Sequence, residues 1–371
     1  MPTASGWSLL AAAAALAPVA ALTGYPQLGA LAGACVAVLV LARATAPAPR
    51  VALRPDGGSL RTVAEEPAHV SLHAHHAAGR RGAPTQLVAV LCGPDDTTAT
   101  MRGSVPALAV GASRSVGLDV PKLPRGLYRL QSLTAECTDV LGLFRRRRDV
   151  PCALTVTVHP RIVDLRPRRR TMDGDDLGRV HGPRLPGDVF HALRDYQPGD
   201  DARLIHWMAT ARTGTPVVRD LVRVDAARQV VVLDTVATPG PATWFDTAVQ
   251  VAGSLVLASA ATDETWLLTT HGLRHRCAPA GSRDAVLDRL AAVRPGAGAC
   301  PRIPASATAV TVVTGPDVDE RRWRTLAGRR DLEIVTVADG PTRRLGRGGP
   351  RVLAVPTLDK LAARLQSAGR R

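Results

Sequence analysis

The residues best equipped for chemistry lie between positions 187 and 220. They read Gly187-Asp188-Val189-Phe190, Leu193-Arg194-Asp195-Tyr196-Gln197-Pro198-Gly199-Asp200-Asp201, Arg203, Ile205-His206-Trp207, Ala211-Arg212-Thr213-Gly214 and Val217-Val218-Arg219-Asp220. Carboxylates beside arginine and histidine are the types that move protons and hold anions, so Asp200, Asp201, Arg203 and His206 define one candidate enzyme cluster. No nucleophile, metal set or phosphate loop adjoins them, however. The favoured reading is an ion-pair network of Asp195, Asp200 or Asp201 with Arg194, Arg203 or Arg212. Locally, Pro198-Gly199 makes a turn and Asp200 or Asp201 caps a helix over about 202–212. Gly214 ends that helix in a left-handed conformation and Thr215–Arg219 returns as a strand. Leu204, Met208 and Ala211 would form the packed face, and Arg203, His206 and Thr210 the offered one. A helix with this chemistry, left exposed, makes a good protein contact.

Metal chemistry finds little support. His73, His75 and His76 cluster, but 73 and 75 share one face of a strand with Ser71 and lack a third ligand at fitting spacing. The six cysteines are scattered without a CxxC pair, which reads as reduced thiols rather than a disulfide framework.

The elements that must position the 187–220 segment fall on either side of it. Residues 51–160 read as a small antiparallel β-sandwich, with strands at Ala68–His75, Gln86–Cys92, Arg114–Val120, Gly126–Leu133 and Ala153–Val158. Residues 161–225 hold an Arg- and Gly-rich exposed linker, including Arg166–Arg170, followed by the turn-helix-strand segment. The run Arg145–Arg148 reads as a solvated, mobile loop. From 226 to 371 the pattern changes to strands at Val230–Leu233, Thr265–Thr269, Ala309–Thr314, Leu332–Val337 and Val352–Val355. Helices fit about 244–261, Arg283–Val293, Val318–Leu326 and Leu358–Leu365. Continuous apolar strands between amphipathic helices imply a mostly parallel, doubly wound sheet.

Residues 1–43 form an anchor. No charged side chain occurs before Arg43, and the run accommodates two crossings of roughly 20 residues each, joined at Gly24-Tyr25-Pro26-Gln27. Arg43, Arg50 and Arg54 follow the second crossing, which places that side in the cytoplasm by the positive-inside bias. Both termini are then cytoplasmic. A cleaved signal peptide fits less well, because no basic residue precedes the apolar run.

The net charge of +15 would suit nucleic acid or anionic lipid, and Arg145–Arg148 or Arg166–Arg170 would be the contact. Yet 45 of the 47 basic residues are arginine, Lys122 and Lys360 being the two lysines, which points to compositional bias. With aromatics at 3% the arginine runs carry no stacking platform, so nucleic acid is not the expected partner.

The phrase Leu193–Arg203, with Ile205-His206-Trp207 and Ala211-Arg212-Thr213-Gly214, resembles the signature of the bacterial domain-of-unknown-function family 58. The resemblance extends back to Arg125-Gly126-Leu127-Tyr128 and to Asp139-Val140-Leu141-Gly142-Leu143-Phe144, where Val140 replaces the family's proline, and forward to Val231-Val232-Leu233-Asp234. It implies a C-terminal domain similar to von Willebrand factor A domains and an association with MoxR-type AAA+ ATPases. Such domains often bind a divalent ion through an Asp-x-Ser-x-Ser loop. Here the loop reads Asp234-Thr235-Val236-Ala237-Thr238 and Thr314-Gly315-Pro316 stands where a second Asp is common, so Asp234 and Thr238 make a degenerate site and no cofactor is expected.

The expectation is therefore a non-enzymatic scaffold or adaptor, held in the cytoplasmic membrane. It would bind a protein partner such as a MoxR-type ATPase in envelope-related assembly or maturation, with Arg194, Tyr196, Gly199, Asp200, Asp201, Arg203, His206, Trp207 and Arg212 as interaction residues.

Overall fold

A computed structural model of the chain describes all residues except 77–81, 167–187, 198–199, 201, 224–228, 237–242, 263, 278–282, 297, 305–306, 329, 345–348 and 370–371. It divides into two compact units, Met1–His159 and Pro160–Arg371.

The first unit opens with α1 (Ala4–Thr23) and α2 (Pro26–Thr45), each long and apolar enough to cross a membrane. Gly24, at φ 68°, closes α1 in the left-handed region, and Pro26 starts α2 where its missing N–H is no loss. Only 11% and 17% of their apolar windows are buried, so neither is a core helix of its own unit.

Nine strands follow: β1 (Ala52–Pro55), β2 (Ser59–Val63), β3 (Ala68–His75), β4 (Thr85–Cys92), β5 (Thr98–Val105), β6 (Ser113–Val120), β7 (Gly126–Thr138), β8 (Arg145–Asp149) and β9 (Thr155–His159). They form one sheet in the order β1-β3-β6-β5-β4-β7-β9-β2, with β8 beside β7. Period-two alternation builds its core: β3 buries Val70, Leu72 and Ala74 and turns His69, Ser71, His73 and His75 to solvent. His76 is instead buried and its Nδ1 bonds the Arg50 carbonyl. The β2–β9 pair is parallel, a departure from a wholly antiparallel sandwich. Another correction concerns Arg145–Arg148, which is strand β8 and not a loop. Glu136, whose side chain is 10% exposed, pairs with Arg145 at 3.3 Å and Arg147 at 2.7 Å, offsetting the repulsion along the arginine run.

In the second unit, β10 (Asp188–Asp195), α3 (Trp207–Thr213) and β11 (Val217–Arg223) precede the α/β part. That part runs β12 (Gln229–Leu233), α4 (Thr243–Ala260), β13 (Thr265–Thr269), β14 (Arg274–Cys277), α5 (Arg283–Ala292), β15 (Ala309–Thr314), α6 (Glu320–Ala327), β16 (Asp331–Thr336), β17 (Arg343–Arg344), β18 (Arg351–Ala354) and α7 (Leu361–Gly369). The sheet order is β14-β13-β12-β15-β16-β18-β17. Its five inner strands are parallel, and β14 and β17 pair antiparallel at the edges. Both faces are covered, which is why β12 and β15 are apolar without alternation. Val231, Leu233 and Val313 pack under α4, α5 and α7, and Val230, Val232 and Val312 pack with Trp323 of α6. Val163 and Leu165, at the head of the expected linker, are packed against the first of these clusters.

Candidate functional site

The segment from β10 to β11 is a two-stranded antiparallel ribbon with a bulge between Phe190 and Ala192. At its end Arg194 and Asp200 form a bidentate pair, Nη1 and Nη2 each donating to a carboxylate oxygen at 2.7 Å. Asp200 also accepts the Gln197 amide at 2.8 Å, and its side chain is 8% exposed against 26% for Arg194. Fork-to-fork geometry of this kind fixes orientation as well as charge. Asp200 is thus spent on the turn. It is not the helix cap, and the helix does not begin at Ala202.

A 3-10 turn over Ala202–Leu204 breaks at Ile205, which bridges to Val218. The α-helix begins at Trp207, and His206 caps it: its Nδ1 accepts the Ala209 amide at 3.0 Å, while its own amide donates to Val217 at 2.8 Å. Thr210 turns inward as well, its hydroxyl oxygen accepting the Val217 amide at 3.0 Å. Gly214 at φ 72° closes the helix as expected. Relative to the sequence reading, His206 and Thr210 consequently leave the offered face and Met208 and Ala211 the packed one, while Arg203 stays exposed and Leu204 half-buried. His206 and Thr210 serve β11, whereas Trp207 and Met208 are 70% and 69% exposed. Arg203, Arg212 and Tyr196 are exposed too. Gly199 and Asp201 lie outside the described residues. Trp207 is exposed, as an interaction residue should be, and the missed residue is Met208, whose outward position is recognisable only once the cap is placed at His206.

A second constellation sits at the C-terminal ends of the parallel strands, where the order β13-β12-β15 reverses direction. This is the switch point at which open α/β sheets place ligands. Asp234 follows β12 and is buried with Thr235, Thr270 and Thr314. Its carboxylate accepts from the Thr314 hydroxyl at 2.9 Å, the Val236 amide at 3.2 Å and the Thr270 hydroxyl at 3.4 Å. Thr235 and Thr270 share a further contact of 2.8 Å between their hydroxyls. Arg322, on α6, lies within electrostatic reach of Asp234. Burial acts to lower its pKa, but the bond from Nε to the Cys300 sulfur at 3.0 Å, with Asp234 and Asp319, outweighs that and raises it.

These residues do not fit a divalent ion. One carboxylate is already saturated by hydroxyl and amide donors, and a hard cation needs several oxygens turned toward it. Among the described residues no group of three or more His, Cys, Asp or Glu could hold a metal. Thr238, the other expected ligand of the degenerate loop, lies outside the described residues.

Residues 192–361 match the model of the family described as "Protein of unknown function DUF58". Uncharacterized proteins of Mycobacterium bovis and Mycobacterium tuberculosis are 46% identical to this chain over 52 residues, 14% of this chain and 15% of theirs. The match therefore spans a small part of those relatives. Among solved structures, a CARDB domain of a Pyrococcus furiosus protein in complex with di-metal ions covers 30% of this chain and 89% of its own, at 13% identity and a TM-score of 0.19. The superantigen toxic shock syndrome toxin-1 covers 29% of this chain and 98% of its own, at 8% identity and a TM-score of 0.18. Neither likeness carries an argument about this fold.

Proposed function

Through residues 192–361 the chain belongs to DUF58, and from that premise we propose that it is a membrane-anchored, cytoplasmic scaffold that performs no chemistry of its own. The observation that carries this reading is the platform at the start of α3, where Trp207 and Met208 project 70% and 69% exposed from a rigidly capped helix. Large apolar side chains displayed on a braced element are the material of protein-binding hot spots. The pairing of Asp200 with Arg194 and of His206 with Ala209 supports the same view, since these groups hold the element together and leave little for acid–base work.

The partner in this reading is a MoxR-type AAA+ ATPase acting in envelope-related assembly or maturation. The C-terminal domain is of the von Willebrand factor A type, with the ion loop reduced to Asp234 and its hydroxyl ring. The anchor is the α1–α2 hairpin, both termini lying in the cytoplasm. A pull-down of the full chain from solubilised membranes tests it. Trp207→Ala and Met208→Ala are expected to lower recovery of the ATPase at least tenfold while leaving the fold intact, and unchanged recovery with both variants refutes the platform.

A further inference from the structure

The end of the nine-stranded sheet nearest the α1–α2 hairpin carries a second exposed apolar feature. The chain start pairs with the β7–β8 turn: the Arg145 amide donates to Met1 at 2.9 Å, the Thr3 amide to Leu143 at 2.8 Å, and Pro2 bridges Phe144. Leu143 and Phe144 then pack with Leu9 of α1 and with Leu39 and Ala42 of α2. Arg146 Nη2 donates to the Arg43 carbonyl at 3.3 Å. The turn is thus wedged against the open end of the hairpin, alongside the first turns of α1 and the last of α2.

Its tip is built to project. Asp139, 6% exposed, accepts the amides of Leu141 and Phe144, and Gly142 turns the chain at φ 72°. Val140 and Leu141 are left 103% and 56% exposed. The β5–β6 loop, which ends at the same edge of the sheet, adds Val110 at 53%. Beside the turn Arg43 is exposed and Arg146 half-buried, and further along β8 Arg148, opposite Ala135, is exposed.

Helix length fixes the depth. α1 and α2 have 20 residues each, which at 1.5 Å per residue is about 30 Å, the full thickness of a hydrocarbon core. Neither helix has turns to spare above the bilayer. Leu9 lies about 8 Å along α1 from its start, so a loop packed beside Thr3–Leu9 straddles the boundary between the headgroups and the outer hydrocarbon.

We infer that the Val140-Leu141 tip, flanked by Arg43 and Arg146 with Arg148 further along β8, is a membrane-interface docking surface that dips into the cytoplasmic leaflet and engages anionic lipid headgroups. Apolar residues at the boundary with basic residues around them are the pattern of interfacial binding. The surface holds the β-sheet unit against the bilayer instead of letting it swing on the hairpin. This rests on the anchor reading above.

The full chain in nanodiscs tests it, with Cys35, Cys92, Cys152 and Cys300 replaced by alanine and a bimane fluorophore on Val140→Cys. Leu127→Cys serves as reference, because Leu127 is 41% exposed at the opposite end of β7. Nitroxide placed at the lipid headgroup is expected to quench the Val140 label several-fold more than the Leu127 label. Phosphatidylglycerol mixed into phosphatidylcholine should deepen the difference, and Arg146→Glu with Arg148→Glu should abolish that gain. Equal quenching at 140 and 127 in a carbonate-resistant chain overturns the docking surface and spares the anchor. A label shielded in native membranes yet unquenched in nanodiscs assigns the tip to a protein and also overturns it. Extraction of the chain by alkaline carbonate removes the anchor and this inference together. Indifference to phosphatidylglycerol and to the glutamate variants overturns the role of anionic headgroups.

Discussion

Arg194 and Asp200 show how one pair decides what its neighbours can do. With Asp200 8% exposed, Arg194→Ala leaves a carboxylate deprived of two charge-assisted donors, at a cost of about 1–3 kcal/mol. The expected result is a loss of hydrogen-exchange protection of tenfold or more at the Gln197–Asp200 turn and at Val217, with the α/β core unaffected. Asp200→Asn, which keeps one oxygen for the Gln197 amide, should lose less. If exchange there is unchanged in both variants, the pair is not what braces the ribbon. A different residue argument concerns Cys277 on β14. Burial pushes its thiol up from 9.0 to about 11. The unfolded chain releases this proton near pH 9 and the folded chain near 11, so the contribution is fully present below 9 and is lost as pH rises toward 11. Its size is about 2–3 kcal/mol, two pKa units at ~1.4 kcal/mol each. The thermal midpoint of the wild type should therefore fall across this window more steeply than that of Cys277→Ala. Parallel curves would show that Cys277 is not buried as described.

At the scale of elements, the hairpin and the β7–β8 turn form one piece because the chain is bare at their meeting point. A Cβ on Gly6 would collide with the Leu143 carbonyl oxygen, which is backbone and cannot swing away. Gly6→Val should loosen residues 139–144, seen as faster amide exchange at Leu143 and Phe144, while α1 keeps its length and apolarity. Gly33→Val is the matching control, since nothing lies within 4 Å of its added Cβ, and equal exchange in the two variants would count against the wedge. Little of this contact was legible in the sequence, which has no periodicity to connect residue 6 with residue 143. The parallel sheet was the opposite case. Thr265–Thr269 and Ala309–Thr314 have the bounds expected from their apolar runs, because burial on both faces writes itself directly into composition. β8 was hidden, since four arginines carry no strand signal until Glu136 is placed opposite them. At α3 the Pro198-Gly199-Asp200-Asp201 run reads as a helix start. Nothing local reveals that Arg194 takes Asp200 and leaves capping to His206. The Asp234 loop was legible in position but not in its hydroxyl ring, as Thr270 and Thr314 come from different strands.

For the whole molecule, the number of crossings and their direction are separate questions with separate warrants. Met1 pairs with Arg145 on the edge of the β-sheet unit, so the chain start and that unit lie on one side of any membrane the helices cross. That requires an even number of crossings and agrees with two helices joined at Gly24-Tyr25. Direction rests on charge alone. The joining segment Thr23–Gln27 has no charged side chain, whereas Arg43 stands in the last turn of α2, Arg50 and Arg54 follow the helix, and Arg146 of β8 lies beside Arg43. Basic residues are retained on the cytoplasmic side. A fluorescent protein fused at the C-terminus should accordingly be bright, and alkaline phosphatase at the same position inactive. Inserting arginines between Tyr25 and Pro26 while changing Arg43, Arg50 and Arg54 to glutamine should shift a measurable fraction to phosphatase activity. An active phosphatase on the unaltered chain would place both units outside the cytoplasm and remove the proposed ATPase partner with them.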